Sequence, residues 1–206
     1  MEFTTIAAFK RFHERHPDAL LLSNWHNNWA ETAKNMALSP YFDHEPDVGA
    51  DGLINFKQWV GKAGIPEDAY IDVGAVPNTH IPSIIAEADV ALFTNRCEGG
   101  TNLVAMETMA CGIPCILSAN TGHLDIISDD NCYALRAQSK SLPAIDPSGM
   151  WGESDIEEID AALEDAYQNR DTARKRGKAG AKFMRTLSWQ HQTAELVDAV
   201  REYMTE

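Results

Sequence analysis

The chain has 206 residues, which is the length of one large domain or two small ones. Its hydrophobic fraction of 44% is ordinary for a globular protein. The formal net charge of −14 argues against nucleic acid and anionic membrane surfaces as partners. No apolar run is long enough to span a bilayer and we find no signal peptide. We therefore expect a cytoplasmic domain without direct membrane insertion, although a longer parent protein could associate with a membrane.

Apolar side chains recur at helical spacing over residues 3–15, which predicts a first helix. A short apolar strand is predicted over 19–23, and a polar, aromatic segment follows, with a candidate helix at 31–38. The later predicted elements are a helix over 52–63, a strand over 70–73, a helix over 81–87, a strand over 88–93, a helix over 102–111, strands over 115–117 and 132–135, a loop over 143–152, and helices over 155–169, 170–186 and 189–203.

Short buried strands that alternate with helices predict an α/β protein with a Rossmann-like, doubly wound parallel sheet. Ligands of such sheets bind beyond the carboxyl ends of the strands. The turns over residues 74–80, 94–102 and 118–123 all follow predicted strands. We therefore expect one crevice to collect the three turns.

The middle turn is rich in glycine and lies between two glutamates, Glu98 and Glu107. Glycines let a backbone approach a ligand closely, and the unpaired N–H groups at a helix N-terminus suit a phosphate. Carboxylates accept hydrogen bonds from sugar or ribose hydroxyls. In the helix that follows, the residues predicted to face the core are Leu103, Met106, Met109 and Ala110.

This combination resembles the C-terminal, donor-nucleotide half of the retaining glycosyltransferases of family four (glycosyltransferase group 1), which have the GT-B fold. The signature of that family is a glutamate, a Gly-rich turn and a second glutamate inside a helix. Eight residues separate the two glutamates here, whereas the family usually has seven. The resemblance covers about residues 3–203 and is supported by the segments 74–77, 88–90, 108–114 and 120–123.

The resemblance implies that residues 1–206 form a single domain that binds a nucleoside diphosphate sugar as substrate, without a cofactor or a metal ion. Glu107 would accept hydrogen bonds from the ribose, and Glu98 would be the catalytic residue that contacts the donor sugar or stabilises charge at its anomeric carbon. The other expected donor-binding residues are Gly99, Gly100, Thr101, Asn102 and Leu103 in the turn, Gly74, Val76 and Asn78 near the base, and Thr121, Gly122 and His123 near the sugar.

The resemblance also implies the reaction of the parent protein. A hexosyltransferase of this type moves a sugar, with retention, from a nucleoside diphosphate sugar to a hydroxyl acceptor. We expect the first strand, with its diphosphate-binding basic pair, and the N-terminal acceptor lobe to be missing from this chain, so that the isolated chain is inactive and that lobe is its partner. Two alternatives remain open: a nucleotide-sugar epimerase of the same fold, and a non-catalytic nucleotide-sugar-binding or assembly module.

Four features outside the signature each have two interpretations. Arg96 could contact the diphosphate or be an exposed loop arginine. The aromatic and polar residues 25–29 could stack on a nucleotide or sugar, although packing under a loop is favoured. The basic run over residues 170–182 could contact the missing lobe, although a solvated helix face is favoured. The four cysteines, Cys97, Cys111, Cys115 and Cys132, are predicted to be reduced and buried rather than to bind metal.

Overall fold

Parallel strands and the helices that connect them form the core of the structure, a computed structural model that describes residues 2–25 and 38–205. The strands are β1 (Leu21–Ser23), β2 (Tyr70–Asp72), β3 (Ala91–Phe93), β4 (Cys115–Ser118), β5 (Tyr133–Leu135), β6 (Gln138–Lys140) and β7 (Gly152–Ser154). The α-helices are α1 (Glu2–Arg15), α2 (Phe56–Lys62), α3 (Ile81–Ile85), α4 (Leu103–Ala110), α5 (Ile156–Gln168), α6 (Arg170–Met184) and α7 (Trp189–Thr205).

The strand pairing confirms the predicted α/β class. β1 lies parallel to β2, and β3, β4 and β5 form a parallel sheet in that order, with Ala91 opposite Cys115 and Ile116 opposite Tyr133. Such strands are buried on both faces, and the four residues of β4 are all buried. The carboxyl ends of β3 and β4 therefore meet at one edge of the sheet.

An antiparallel hairpin follows the parallel sheet. β6 pairs with β7, with Ser139 opposite Glu153. The sequence predicts a loop over residues 143–152, and this is wrong at its end, because Gly152 begins β7. The hairpin strands are only three residues long and polar, so they lack the apolar alternation by which a strand is recognised in a sequence.

Several helix and strand boundaries differ from the prediction because local hydrogen bonds end or begin the elements. Asn55 caps α2 by accepting from the backbone of Gln58 at 3.0 Å, so that helix begins at Phe56 and not at residue 52. The N–H of Ala88 donates to the carbonyl of Ile85 at 3.0 Å, which extends the turn after α3 and delays β3 to Ala91.

Apolar side chains of the helices pack on the sheets in three clusters. The first joins α1 to α2 through Ile6 and Trp59, both without exposed surface. The second joins α1 and α5 to β4, and the third places Met109 of α4 against Leu117 of β4. Burying one large apolar side chain stabilises the fold by about 1.5–3 kcal/mol, so the third cluster fixes α4 firmly on the sheet.

The last helix, α7, packs little against the rest of the chain. Its residues from Trp189 to Met204 are exposed, and Trp189 itself is 88% exposed. The basic run lies on α6, where Arg174, Lys178 and Lys182 are exposed, as expected for a solvated helix face. In residues 2–25 and 38–205, no helix is both long and apolar enough to cross a membrane.

Candidate functional site

Asn102 connects three parts of the site at the start of α4. Its Oδ1 accepts a hydrogen bond from the backbone N–H of Ala105 at 3.0 Å, which caps the helix. Its amide nitrogen donates to Oε1 of Glu98 and approaches Nε2 of His123, each at 3.1 Å. One buried side chain therefore positions the first glutamate, the helix N-terminus and the histidine together.

His123 is buried beneath Asn102 and holds its amide in place through a hydrogen bond. Its Nδ1 lies 2.9 Å from the carbonyl of Ser118 at the end of β4, so this nitrogen carries the proton and Nε2 accepts from Asn102. Burial lowers the pKa of His123, and the Ser118 carbonyl and the charge of Glu98 oppose this only in part. The side chain has no exposed surface, which favours a supporting position over the predicted contact with a sugar.

The turn after β4 packs directly on the Gly-rich turn. The backbone N–H of Glu98 donates to Oγ1 of Thr121 at 2.8 Å, and that hydroxyl donates to Oδ1 of Asn120 at 3.1 Å. A Cβ atom on Gly122 would lie 1.4 Å from the carbonyl oxygen of Gly100, so only glycine fits at position 122. The structure therefore brings residues 98–102 and 121–123 together, as the sequence predicts.

The Gly-rich turn presents unused hydrogen-bond donors. Gly99 and Gly100 are exposed, and no Cβ-sized obstacle lies within 4 Å of either. In the described part of the chain, the backbone N–H groups of Gly99, Gly100 and Thr101 have no hydrogen-bond partner. They precede the positive end of the α4 dipole, so this surface can receive an anion in spite of the acidic composition of the chain.

Glu107 lies in the second turn of α4 and is exposed. Its carboxylate makes no hydrogen bond or ion pair with the described residues, so it is free to accept hydrogen bonds from hydroxyl groups. The prediction of which α4 residues face the core is wrong for Leu103, which is 65% exposed, and for Ala110, which is also exposed. The buried face instead carries Ala105, Thr108 and Met109.

The turn after β2 lies at the end of the other parallel pair. Gly74 has a positive φ of 65°, and its N–H donates to Oδ1 of Asp72 at 3.0 Å. Val76 is half-buried and Asn78 is exposed at the start of a 3₁₀ turn. Within the described residues, no hydrogen bond or ion pair joins this turn to residues 98–102, so the expectation that these residues share a crevice stays a prediction.

Arg96 is not an exposed loop arginine, because its side chain is only 11% exposed. Its Nε donates to the carboxylate of Glu153 on β7, and its guanidinium lies 4.2 Å from the centre of the Phe3 ring. The other oxygen of Glu153 accepts from the hydroxyl of Thr4 at 2.9 Å. Arg96 therefore ties the Gly-rich turn to α1 and to the hairpin.

Sequence reasoning missed a polar network that supports the site. The amide of Asn120 donates to the carbonyl of Asn95 and to Oε1 of Gln138, both at 2.9 Å. Gln138 in turn donates to the hydroxyl of Ser154, which lies 2.6 Å from the hydroxyl of Ser118. The only sequence signal was the presence of amides and hydroxyls just after predicted strands, which is also typical of ordinary loops.

The remaining candidates take ordinary structural positions. Trp25 packs on Phe56 with the ring centres 5.5 Å apart, while the other residues of its cluster, 26–29, and most of the candidate helix at 31–38 lie outside the described residues. The cysteine prediction holds for Cys115 and Cys132, which are buried, but Cys97 is half-buried and Cys111 is exposed. In the described ranges, no group of three or more potential ligands could hold a metal ion.

Two grooves on the described surface lie away from the Gly-rich turn. One is formed on α7 by the side chains from Trp189 to Arg201. The other lies between α2 and β2, and its lining includes Asn55 and Tyr70. Neither groove is lined by a residue of the predicted site, so each is a competing place at which a ligand could bind.

Comparisons with known proteins find a family and a fold. A family model described as "Family 4 Glycosyltransferase in conflict systems" matches residues 78–196. The search of curated proteins found no match. A sucrose-phosphate synthase from Thermosynechococcus elongatus is similar in structure over 98% of this chain and 42% of its own, with a TM-score of 0.63 and 19% identity.

A second solved structure is the C-terminal domain of a glycosyl transferase group 1 family protein (LpcC) from Francisella tularensis. It covers 89% of this chain and 76% of its own, with a TM-score of 0.62 and 18% identity. At these identities the two structures establish the fold alone. The chain therefore has the fold of a GT-B glycosyltransferase C-terminal domain, and it spans less than half the length of the sucrose-phosphate synthase.

Proposed function

Because this chain belongs to the family-four glycosyltransferases of conflict systems, we propose that it binds the nucleoside diphosphate sugar of a glycosyl transfer reaction. The observation that carries the proposal is the group of N–H donors at Gly99, Gly100 and Thr101, which have no partner among the described residues and lie between Glu98 and Glu107 in the sequence. Backbone donors at a helix N-terminus suit a diphosphate, and the carboxylates suit hydroxyl groups.

Each group has a separate task in this proposal. The free N–H groups and the α4 dipole hold the diphosphate and stabilise its charge as it leaves the sugar. Glu107 accepts hydrogen bonds from the ribose hydroxyls, since its carboxylate is exposed and has no partner among the described residues. Glu98 faces the anomeric carbon, and Asn102 holds its carboxylate in place at 3.1 Å. In this proposal, the sugar is then transferred to a hydroxyl acceptor with retention.

The acidic composition makes these local donors necessary. A formal charge of −14 repels a nucleotide at long range. Arg96, the arginine of the 94–102 turn, is already paired with Glu153 in the described structure. Neutral backbone donors and a helix dipole can attract the diphosphate without a free cation. We therefore expect a modest affinity for the nucleotide, and we expect this affinity to decrease little as the salt concentration rises.

Calorimetric titration of the chain with UDP, GDP and ADP tests the proposal. We expect one nucleotide to bind and Glu107→Ala to weaken it about 10- to 100-fold, as for the loss of hydrogen bonds to a charged group. Glu45→Ala is the matched control, because Glu45 is also exposed and lies outside the site. Equal binding by wild type and Glu107→Ala would refute the assigned position, and no binding of any nucleotide would refute the proposed function for this chain.

A further inference from the structure

Two hydrogen bonds fix the orientation of the Asn102 amide. The backbone N–H of Ala105 can only donate, so the atom of Asn102 that lies 3.0 Å from it is the oxygen, Oδ1. The amide nitrogen must then donate, and its contact with Oε1 of Glu98 at 3.1 Å agrees, because an ionised carboxylate only accepts. This orientation of Asn102 requires an acceptor at Nε2 of His123, which lies 3.1 Å from the same nitrogen.

The neutral ring of His123 meets this requirement. Its Nδ1 lies 2.9 Å from the carbonyl oxygen of Ser118 and carries the ring proton, which leaves Nε2 as an acceptor. The groups that face the ring from β4 and α4, Ser118 and Asn102, are neutral. Glu98 faces it from the Gly-rich turn, and its charge partly opposes the lowering of the ring pKa by burial. On the 3₁₀ turn of His123 itself, Asp125 is exposed.

The carboxylate of Glu98 is held by one of its two oxygens. Oε1 accepts hydrogen bonds from the side-chain amides of both Asn95 and Asn102. Oε2 makes no hydrogen bond with a described residue, so it is the oxygen that can accept from a sugar hydroxyl. Loss of the Asn102 donor leaves Asn95 alone, and one hydrogen bond fixes the direction of a carboxylate less well than two.

We propose that His123 is a positioning residue of the candidate site: its neutral ring keeps Asn102 oriented toward Glu98, and protonation of the ring releases the Glu98 carboxylate. This inference rests on the proposed function of the Gly-rich turn. A proton on Nε2 would face the amide N–H of Asn102, and two donors cannot share a hydrogen bond. If the amide turned over, its oxygen would face the Glu98 carboxylate and its nitrogen would face the N–H of Ala105. Binding of a nucleotide sugar in the arrangement described therefore requires a neutral ring.

This requirement links the affinity for the ligand to pH. A ligand that binds only the neutral form has its full affinity above the pKa of the ring in the free protein, and its affinity falls about tenfold for each pH unit below that pKa. A nucleotide sugar is a suitable probe, because both of its phosphates are esterified and it lacks the second phosphate pKa of about 6 that a phosphate monoester has.

Calorimetric titration at pH 7.5 and pH 5.5 tests the inference. The probe is whichever of UDP-glucose, GDP-mannose and ADP-glucose binds wild type at pH 7.5. We expect wild type to bind it about three- to tenfold more weakly at pH 5.5. His191→Gln is the matched control, because it removes an exposed histidine of α7 and should keep the pH dependence of wild type.

The two failures are distinguishable. Failure of wild type to bind any of the three nucleotide sugars at pH 7.5 would overturn the proposed function first. Equal wild-type affinities at the two pH values would overturn the inference on His123 and leave the proposed function in place.

Two variants of His123 test its position without a change of pH. His123→Gln cannot be protonated, and its amide oxygen is long enough in reach to accept from Asn102. His123→Asn can still donate to the carbonyl of Ser118, but it is one methylene shorter and does not reach Asn102. At pH 7.5 we expect His123→Gln to bind the nucleotide sugar within about threefold of wild type and His123→Asn to bind it about tenfold more weakly.

Neither variant should show the decrease in affinity that wild type shows at pH 5.5. Equal affinities of the two variants at pH 7.5 would contradict a position that acts through Asn102. A decrease for His123→Gln as large as that of wild type would also overturn the inference, because another group would then be responsible for the pH dependence. The wild-type measurements do not depend on the folding of either variant.

Discussion

Asn102 and His123 share a hydrogen bond in which the amide nitrogen of Asn102 donates to Nε2 of the ring at 3.1 Å. The same amide donates to Glu98, and its oxygen caps α4 at the N–H of Ala105. All the hydrogen-bonding capacity used by this side chain thus serves the candidate site, and one residue fixes the position of a loop, a helix and a buried ring.

Replacement of Asn102 by alanine should lower the free energy of unfolding more than loss of an ordinary cap. A cap contributes about 1 kcal/mol, and a buried ring nitrogen left without a donor costs about 1–3 kcal/mol more. Asn55→Ala removes the cap of α2, and among the described residues the Asn55 side chain bonds only to Gln58, which is exposed. Urea unfolding of both variants checks this, and equal losses would contradict the connecting position of Asn102.

The contact between Gly122 and Gly100 is tested by adding one methyl group. Gly122→Ala places a Cβ where the carbonyl oxygen of Gly100 lies, so the two turns must separate, at about 1–3 kcal/mol of stability. Gly99→Ala meets no atom within 4 Å and should change the free energy of unfolding by less than about 0.5 kcal/mol. A stable Gly122→Ala protein would show that the turns do not pack as described.

The buried, neutral state of His123 gives the fold a specific dependence on pH. Its pKa in the folded state is lower than its unfolded value of about 6.5, so its contribution to stability is complete above that pH and decreases as the pH falls below it. The nearest groups are Asn102, Ser118 and the carboxylate of Glu98, which opposes the shift.

The matched variant for this pH dependence is His123→Asn, whose amide can still donate to the carbonyl of Ser118. The free energy of unfolding of wild type minus that of the variant should be largest near pH 7.5 and decrease toward pH 5. The other six of the seven histidines are present in both proteins, so their contributions to the pH dependence cancel in this difference. Urea unfolding at several pH values measures it. A difference that grows as the pH falls would mean that His123 is charged in the folded protein.

The ion pair between Arg96 and Glu153 should matter more than the surface pairs. Both side chains are mostly buried, so Glu153→Gln leaves a poorly solvated guanidinium and should cost about 1–3 kcal/mol. Asp171→Asn breaks the exposed pair with Arg174 and should cost less than about 0.5 kcal/mol. Thermal unfolding of the two variants compares them, and equal shifts would argue against a structural contribution of the Glu153 pair.

Much of the site could be predicted because its signals are local. A strand, two glycines, an N-cap residue and an apolar helix occupy one continuous segment, and each follows a short-range rule. The exposure of Leu103 and Ala110 could not be predicted, because six of the eight residues of α4 are apolar and periodicity then does not distinguish its faces.

The hairpin was missed for a different reason. Its strands are polar and three residues long, and contacts far away in the sequence hold them, such as Arg96 with Glu153 and Ser118 with Ser154. Periodicity reports only which face of an element is buried. It contains no information on an element whose stability comes from long-range polar pairs.

The most direct test of the central claim is to map the nucleotide site by the amide NMR signals of the 206-residue chain. On addition of the nucleotide that binds by calorimetry, we predict the largest shifts at Gly99, Gly100 and Thr101, with small shifts along α7. Larger shifts in the groove between α2 and β2, or in the α7 groove, would place the nucleotide elsewhere and contradict the proposed site.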